Sequence, residues 1–131
     1  MPVLKKEQSN HYQHNKSLGQ LGEQITRTYF LKNNYIFIEQ NYVAGHLEID
    51  LIFKKAKQIV FVEVKTRVNN LLSQKENPLK APQTKRLKRA LATYCLANNI
   101  KLESARLDLA IVLVNSTTKK ASLRHYPDIL R

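Results

Sequence analysis

The pattern of hydrophobic and polar residues predicts a helix near the start of the chain. Apolar side chains recur there at helical spacing, at Leu18, Leu21, Ile25 and Tyr29. Ser17 and Gln20 fit a capping box, so we expect the helix to begin at Ser17 and to end near residues 33–34. Residues 1–16 are polar and have no periodicity, which predicts a flexible basic arm ahead of one domain at 17–131.

Alternation of period two follows the helix and predicts strands. The expected strands are 35–42, 47–54 and 58–66, which would form a three-stranded meander. After a long loop at 68–82, a second helix from residue 83 to about 98 would bury Leu87, Leu91 and Tyr94. Two more strands are expected at 106–114 and 122–126. The predicted order is α-β-β-β-α-β-β, an α/β fold.

Length and composition favour one domain in the cytoplasm. A chain of 131 residues with 43% hydrophobic residues is long enough for one core and too short for two. The longest apolar stretch, Leu109–Val114, is far shorter than a membrane span, and we see no signal-peptide pattern. The single cysteine, Cys95, excludes an internal disulfide and lies in a helical apolar pattern, so we expect a core residue.

The charge of the chain predicts a polyanionic partner. The formal net charge is +12 and the pI is about 10.0, which favours nucleic acid as the partner over an anionic membrane surface. Basic residues cluster with no acid between them, at Lys80, Lys85, Arg86, Lys88 and Arg89. On the second helix, Lys85, Lys88 and Arg89 would face away from the expected core. Solubility or ribosome association is the alternative explanation of the charge.

Charged residues interrupt two strands that are otherwise apolar, at Glu48, Asp50, Glu63 and Lys65. Side chains alternate across a strand, so Glu48 shares a face with Asp50, and Glu63 shares one with Lys65. Ile49 and Leu51 would lie on the opposite face. Burying such a charge costs on the order of several kcal/mol in lost hydration, unless the charge has a partner or an ion.

The types of these residues suit phosphodiester hydrolysis. That reaction needs hard oxygen ligands for Mg²⁺ or Mn²⁺, together with a cation beside the attacking water or the phosphate. Asp50 and Glu63 would hold the metal if their strands pair, and Lys65 would supply the second cation. The alternative is a polar sheet face with cross-strand ion pairs worth about 0.2–1 kcal/mol each. Repulsion among three acids favours the metal or phosphate site.

At this point the chain resembles the small bacterial YraN family of restriction-endonuclease-like proteins, over residues 17 to about 115. The motifs that carry the resemblance are Gly22-Glu23, Asn41-Tyr42, Glu48-Ile-Asp50-Leu-Ile52, Phe61-Val-Glu63-Val-Lys65-Thr-Arg67 and Arg106-Leu-Asp108. The resemblance implies a mixed central β-sheet flanked by helices. It also implies a relation to archaeal Holliday-junction resolvases and RecB-type nuclease domains.

The resemblance also implies roles for particular residues. Glu23 on the first helix would join the site, Asp50 and Glu63 would be metal ligands, Lys65 would be catalytic, and Glu48 would be a further ligand or would shape the site. The charge pattern, independently of the resemblance, predicts nucleic-acid contacts at Lys80, Lys85, Lys88, Arg89 and Arg67, and a structural role for Arg67 at the end of its strand stays open. The sequence departs from the family at Leu47, where Gly is usual, and at Thr84, where Lys is usual.

The sequence therefore predicts a nucleic-acid-binding protein of nuclease fold, active as a metal-dependent endonuclease on DNA, with branched or structured DNA favoured by analogy. Two other classes stay open, a non-catalytic nucleic-acid-binding module and an adaptor for an acidic protein partner. Replacing Asp50 or Lys65 by Ala separates the nuclease from the non-catalytic module, because hydrolysis should fall while binding survives only if the protein is a nuclease. A two-fold junction would require a homodimer, which no feature of the sequence decides.

Overall fold

The structure, a computed structural model, describes residues 2–69 and 81–130, with side chains described at 17–69 and 83–130. Its elements in chain order are α1 (Pro2–Lys32), β1 (Ile36–Ala44), β2 (Leu47–Lys55), β3 (Gln58–Val68), α2 (Ala81–Ala97), a 3-10 turn at Leu102–Ser104, β4 (Ala105–Val114) and β5 (Ala121–Tyr126). This confirms the predicted order. Within the described ranges, no helix is both long and apolar enough to cross a bilayer.

The five strands form one mixed sheet in the order β1-β2-β3-β4-β5. The meander from β1 to β3 is antiparallel, as predicted, and β5 returns antiparallel along β4. Between them, β3 and β4 are parallel, from Ile59 opposite Ala105 to Val68 opposite Val114. A parallel pair requires a crossover, and α2 lies in that connection. β3 is therefore hydrogen-bonded on both sides at the centre of the fold.

Two hydrophobic clusters cover opposite faces of the sheet. One contains Phe30 of α1 with Val60 and Val62 of β3, and the other contains Phe61 of β3 with the buried side of α2. The buried residues of α2 are Leu87, Ala90, Leu91, Tyr94 and Cys95. This confirms the predicted core face of that helix and the core position of Cys95. The alternation along β3 shows that one helix packs on each face.

The first helix begins earlier than the sequence predicted. It starts at Pro2, so Ser17 lies inside the helix and the predicted capping box is wrong. Residues 3–16 contain no Gly or Pro and include Lys, Glu and Gln, which favour a helical backbone even without an apolar stripe. The side chains of this segment lie outside the described residues, and its role as an arm separate from the domain stays a prediction.

The buried face of α1 also differs from the predicted stripe. Gly22, Thr26 and Phe30, spaced four apart, are buried, whereas Leu21 is 40% exposed. The hydroxyl of Thr26 donates to the Gly22 carbonyl at 2.7 Å, which satisfies this buried polar side chain. Small residues face the sheet because α1 lies close against β3. A β-carbon added to Gly22 would lie 1.8 Å from Oγ1 of Thr66.

A buried carboxylate on β4 links this strand to β5 and to the segment that follows β5. Asp108 on β4 is fully buried and accepts two hydrogen bonds from the Arg106 guanidinium, both 2.8 Å. It also contacts Nε2 of His125 at 2.7 Å and accepts the Asp128 amide at 2.9 Å. Burial alone would raise the pKa of Asp108, but these hydrogen bonds hold it below its ordinary value. Arg106 is therefore the residue that forms the ion pair with the buried Asp108 carboxylate.

We expect Gly22→Ala to destabilise the protein by about 1–3 kcal/mol, because the added methyl group overpacks the contact with Thr66. Gly19→Ala is the matched control in the same helix, where an added β-carbon meets nothing within 4 Å. Its free energy of unfolding should rise by up to about 1 kcal/mol from helix propensity. Urea unfolding followed by circular dichroism measures both.

Gly22→Ala should cost less stability in a Thr66→Ala background than in wild type. The reason is that the nearest atom, Oγ1 of Thr66, is removed. Equal stability of the Gly22→Ala and Gly19→Ala variants would contradict the close approach of α1 to β3.

Candidate active site

The candidate site lies where β2 separates from β3. The described ladder between these strands runs from Lys55 opposite Gln58 to Leu51 opposite Val62, while β2 upstream of Leu51 stays paired with β1. At the point of separation, the Val64 amide donates to Oδ2 of Asp50 at 2.8 Å. The Asp50 side chain thus takes a backbone hydrogen bond that a continuing strand would have taken.

The separation also changes the predicted faces of β2. Ile49 and Leu51 were expected on one face, but Ile49 packs in the cluster beside α2 and Leu51 in the cluster beside α1. That prediction is wrong, because strict alternation fails where the strand leaves its neighbour.

Asp50 and Glu63 form a carboxyl pair. A side-chain hydrogen bond between the two carboxyls raises the pKa of Glu63 and lowers that of Asp50. Burial, followed by the charge of Asp50, raises the pKa of Glu63 to about 8. Burial also raises the pKa of Asp50 to about 6, although the Val64 amide opposes that shift. Two neighbouring carboxyls in a partly dry setting resist losing both protons, because their two charges would repel.

Two further acids are linked electrostatically to this pair. Glu23 projects from α1, and burial followed by the charges of Asp50 and Glu48 raises its pKa to about 7. The Gln40 side-chain amide lies 3.5 Å from Oε2 of Glu23 and opposes that shift. Glu48 is exposed, yet its charge also raises the pKa of Glu63. The structure thus brings all four predicted acids into one electrostatic cluster.

Lys65 lies one pleat beyond Glu63 on the same face of β3. Its charge lowers the pKa of Glu63, against the larger effects that raise it. Its ammonium donates to Oε1 of Gln83 at 3.0 Å, and Gln83 lies in the first turns of α2. Gln83 is not among the site residues predicted from the sequence. The available signal was its position at the start of a helix that follows the strand of Lys65.

Two clefts open beside these residues. The larger, of about 420 Å³, is lined by Leu18, Gly19, Glu23, Glu63, Val64, Lys65, Thr66, Arg67 and Gln83. The smaller, of about 190 Å³, is lined by His46, Leu47, Glu48, Glu63, Gln83, Arg86 and Leu87. Glu63 and Gln83 line both clefts, so they form the wall between them.

The predicted nucleic-acid contacts fall into three groups. Arg67 lines the larger cleft beside Lys65. Lys85, Lys88 and Arg89 are exposed on α2, which confirms that the basic side of this helix faces away from the core. Lys80 lies outside the described residues. Contact of these residues with nucleic acid remains a prediction.

Both departures from the family pattern have a structural setting. Leu47 pairs with Ala44 as the first residue of β2, and the turn before it uses Gly45 at a φ of 63°. A second glycine at Leu47 is therefore not needed to form that turn. Thr84 is half-buried on α2, directly after Gln83. Lys85 beside it is exposed, so the neighbouring cation is available at the surface.

With this geometry described, similarity to known proteins places the chain in a family. Residues 22–112 match the family described as "Uncharacterised protein family UPF0102". The chain belongs to this family. UPF0102 is the YraN family of restriction-endonuclease-like proteins, which confirms the resemblance stated from the sequence motifs.

Several UPF0102 proteins are similar over most of their length. The protein of Bacteroides thetaiotaomicron is 35% identical over 77% of this chain and 82% of its own. That of Shewanella sediminis is 40% identical, over 72% and 80%, and that of Geobacter metallireducens is 31% identical, over 88% and 93%. The solved structure of SSO0001 covers 94% of this chain and 56% of its own at 16% identity, with a TM-score of 0.40, too low to define a fold.

The acidic cluster of this UPF0102 protein fits a Mg²⁺ site built on two carboxylates. Among the described side chains, no three of the His, Cys, Asp and Glu residues are grouped as a ready set of ligands. Mg²⁺ does not require such a set, because it usually keeps several waters and binds one or two carboxylates with substrate phosphate. Asp50 and Glu63 are hard oxygen donors, and burial raises the pKa of both, so they are the pair that would hold the ion.

We expect this UPF0102 protein to lose stability as pH rises from about 4 to about 8 in the presence of EDTA. Glu23, Asp50 and Glu63 have folded-state pKa values of about 7, 6 and 8, above their ordinary values of 4.5, 3.8 and 4.5. The folded state therefore holds these protons more tightly than the unfolded chain. The resulting stabilisation is complete below about pH 4, near the unfolded values, and is lost as pH rises through the folded values.

Thermal unfolding at pH 5 and pH 8 measures this effect, with Glu63→Gln compared with wild type. The variant should lose less stability than wild type between the two pH values, because it lacks the acid with the highest pKa. Glu103→Gln, a change at an exposed acid outside the cluster, should follow wild type. Asp108, with its lowered pKa, acts in the opposite direction and only below about pH 4. Parallel pH curves for all three proteins would contradict the raised pKa values.

Proposed function

We propose that this protein binds nucleic acid and hydrolyses DNA phosphodiester bonds as an endonuclease dependent on Mg²⁺ or Mn²⁺. The observation that carries the proposal is the Asp50–Glu63 carboxyl pair at the point where β2 leaves β3, with Lys65 one pleat away. We favour branched or structured DNA as the substrate, by analogy with the resolvases that the motifs resemble. The proposed compartment is the cytoplasm.

The carboxyl pair supports a cation site because two partly buried carboxylates next to each other are energetically unfavourable when both are charged. Burial raises the pKa of both groups, and repulsion between them adds to the effect on Glu63. At neutral pH this arrangement needs either a proton or a metal cation between the two carboxyls. A structural ion pair would instead place one cation against each acid, whereas the charges of two acids, Asp50 and Glu48, and of one cation, Lys65, act on Glu63.

The roles of the side chains follow from their positions. A divalent cation, when bound, supplies positive charge to the phosphate and makes water more acidic. The Val64 amide holds the Asp50 carboxylate in orientation, and the Glu63 carboxyl forms a hydrogen bond with that carboxylate. Lys65 is placed to stabilise negative charge that develops on the phosphate. Glu23, whose pKa is about 7, can accept a proton near neutral pH.

The rest of the molecule supports binding to a polyanion. The net charge of +12 attracts nucleic acid in spite of the acidic cluster, since basic residues outnumber acids 22 to 10. Arg67 in the cleft and the exposed side of α2 would contact phosphates on either side of the site. A homodimer would match a two-fold junction and forms part of the proposal.

A non-catalytic nucleic-acid-binding module is the second candidate. The observation in its favour is that, among the described side chains, no three His, Cys, Asp or Glu residues form a ready set of metal ligands. In that case the acidic cluster would serve stability or metal-dependent binding. Binding of an acidic protein instead of DNA is a further outcome, which weak and salt-insensitive DNA binding would indicate.

We expect Asp50→Ala and Lys65→Ala each to reduce cleavage about 10²-fold or more while DNA binding survives. Loss of one group that stabilises the transition state costs this much. The measurement is cleavage of labelled four-way junction, flap, duplex and single-stranded DNA with Mg²⁺ or Mn²⁺. Binding is measured separately with Ca²⁺, which also accepts carboxylate oxygens.

Glu103→Ala is the control for the removal of a carboxylate, because Glu103 is exposed and lies outside the cluster. It should cleave like wild type. Tight binding by wild type without incision of any substrate, with either metal, would overturn the nuclease and support the non-catalytic module. Cleavage that persists in both site variants would point to a contaminating nuclease.

We expect the double variant Lys88→Ala/Arg89→Ala to weaken DNA binding and to reduce the salt dependence of the dissociation constant by roughly one to two ion equivalents. These residues lie on the exposed side of α2. Lys101→Ala/Lys120→Ala removes the same charge from other exposed positions and is the matched control. Fluorescence anisotropy over a series of salt concentrations measures both. Equal weakening by the two variants would show that net charge acts without the α2 surface.

A further inference from the structure

We propose that Gln83 is a positioning residue that holds the ammonium group of Lys65 over the acidic cluster. The inference rests on the proposed nuclease function and assigns a role to a residue outside the predicted site. Gln83 would act through Lys65, without binding the metal or the DNA phosphate itself.

The geometry that carries the inference joins two elements. Lys65 lies on β3 and Gln83 in the first turns of α2, and Oε1 of Gln83 accepts a hydrogen bond from Nζ of Lys65 at 3.0 Å. Both residues line the larger cleft, and Gln83 also lines the smaller one. The hydrogen bond therefore lies in the wall that separates the two clefts, next to Glu63.

A lysine at such a site needs an external support. Its side chain has four rotatable bonds, and its ammonium is a compact charge without the fixed geometry of a guanidinium. Glu63 on the same strand attracts the ammonium, and the acids around it present other places for the charge. A hydrogen bond from a second element selects one of these positions, as catalytic geometry requires.

An amide suits this role better than a carboxylate. The Gln83 oxygen accepts a hydrogen bond without a negative charge, so Lys65 keeps its full charge for the phosphate. A glutamate at this position would neutralise the ammonium and add a fifth acid beside Glu23, Glu48, Asp50 and Glu63. The neutral acceptor is therefore the side chain that orients Lys65 and leaves it electrostatically active.

The position of Gln83 also connects binding with chemistry. It lies on the same helix as the exposed basic residues Lys85, Lys88 and Arg89. DNA held by that surface would contact the helix that places Lys65. The nuclease would then have its catalytic lysine aligned by the element that also grips the substrate.

The test compares Gln83→Met, which keeps the length of the side chain and removes the acceptor, with Gln83→Glu, which keeps the acceptor and adds a charge. On the DNA that wild type cleaves, we expect Gln83→Met to lower the single-turnover rate about tenfold. The dissociation constant measured with Ca²⁺ should change less than twofold. Gln83→Glu should also cleave slowly, because its carboxylate neutralises the ammonium.

A double-mutant cycle identifies whether Gln83 acts through Lys65. Gln83→Met should cause no further loss when Lys65 is already Ala. A tenfold loss in both backgrounds would overturn the proposal, because Gln83 would then act independently of the lysine. Weaker DNA binding with an unchanged rate would also overturn it and would make Gln83 a substrate contact.

A measurement without DNA separates this proposal from the nuclease itself. Carbon relaxation at Cε reports the mobility of each lysine side chain. We expect Lys65 to be ordered in wild type and in Gln83→Glu but mobile in Gln83→Met, while Lys55, whose Nζ donates to the Asn33 carbonyl at 2.6 Å, stays unchanged in all three. Equal order of Lys65 in every protein would overturn the positioning role. Mobility caused by Gln83→Met in a protein that cleaves no DNA would support the positioning and overturn the nuclease.

Discussion

The hydrogen bond from the Val64 amide to the Asp50 carboxylate is the interaction on which the candidate site depends. It lets β2 leave β3 without an unsatisfied backbone amide, and it fixes the Asp50 carboxylate at the point where the two strands separate. Had the ladder continued past Leu51, the Val64 amide would have needed a backbone acceptor and the cleft beside Glu63 would be narrower. A local defect in the sheet and the placement of a site residue therefore share one cause.

The close packing of α1 on β3 supplies the second half of this arrangement. Gly22 faces Thr66 without a side chain between them, and Glu23 follows immediately on the helix. The short distance between helix and strand brings the Glu23 charge within reach of Asp50. A larger residue at position 22 would move the helix outward, and the acid would move with it. Stability and site geometry are thus linked at one glycine.

The sequence predicted more of the site than of its supports. Glu63 and Lys65 share a face by strand alternation alone, which is a local property of the backbone. By contrast, the Gln83–Lys65 hydrogen bond depends on how α2 packs after a long connection, and no local pattern encodes it. The buried face of α1 was mistaken because large apolar residues were preferred over Gly22 and Thr26. Gly22 and Thr26 are buried because the helix lies close to the sheet, and this distance is a tertiary property.

The Asp108 network has a consequence for how the chain folds during synthesis. The carboxylate belongs to β4, but two of its partners, His125 and the Asp128 amide, come 17 and 20 residues later. Until they leave the ribosome, a fully folded β4 would bury a charge with only Arg106 to balance it, which is unfavourable. Nascent chains should therefore form the β1–β3 meander first and complete the parallel pairing of β3 with β4 late. Pairing of β5, which carries His125, with β4 would then complete the sheet.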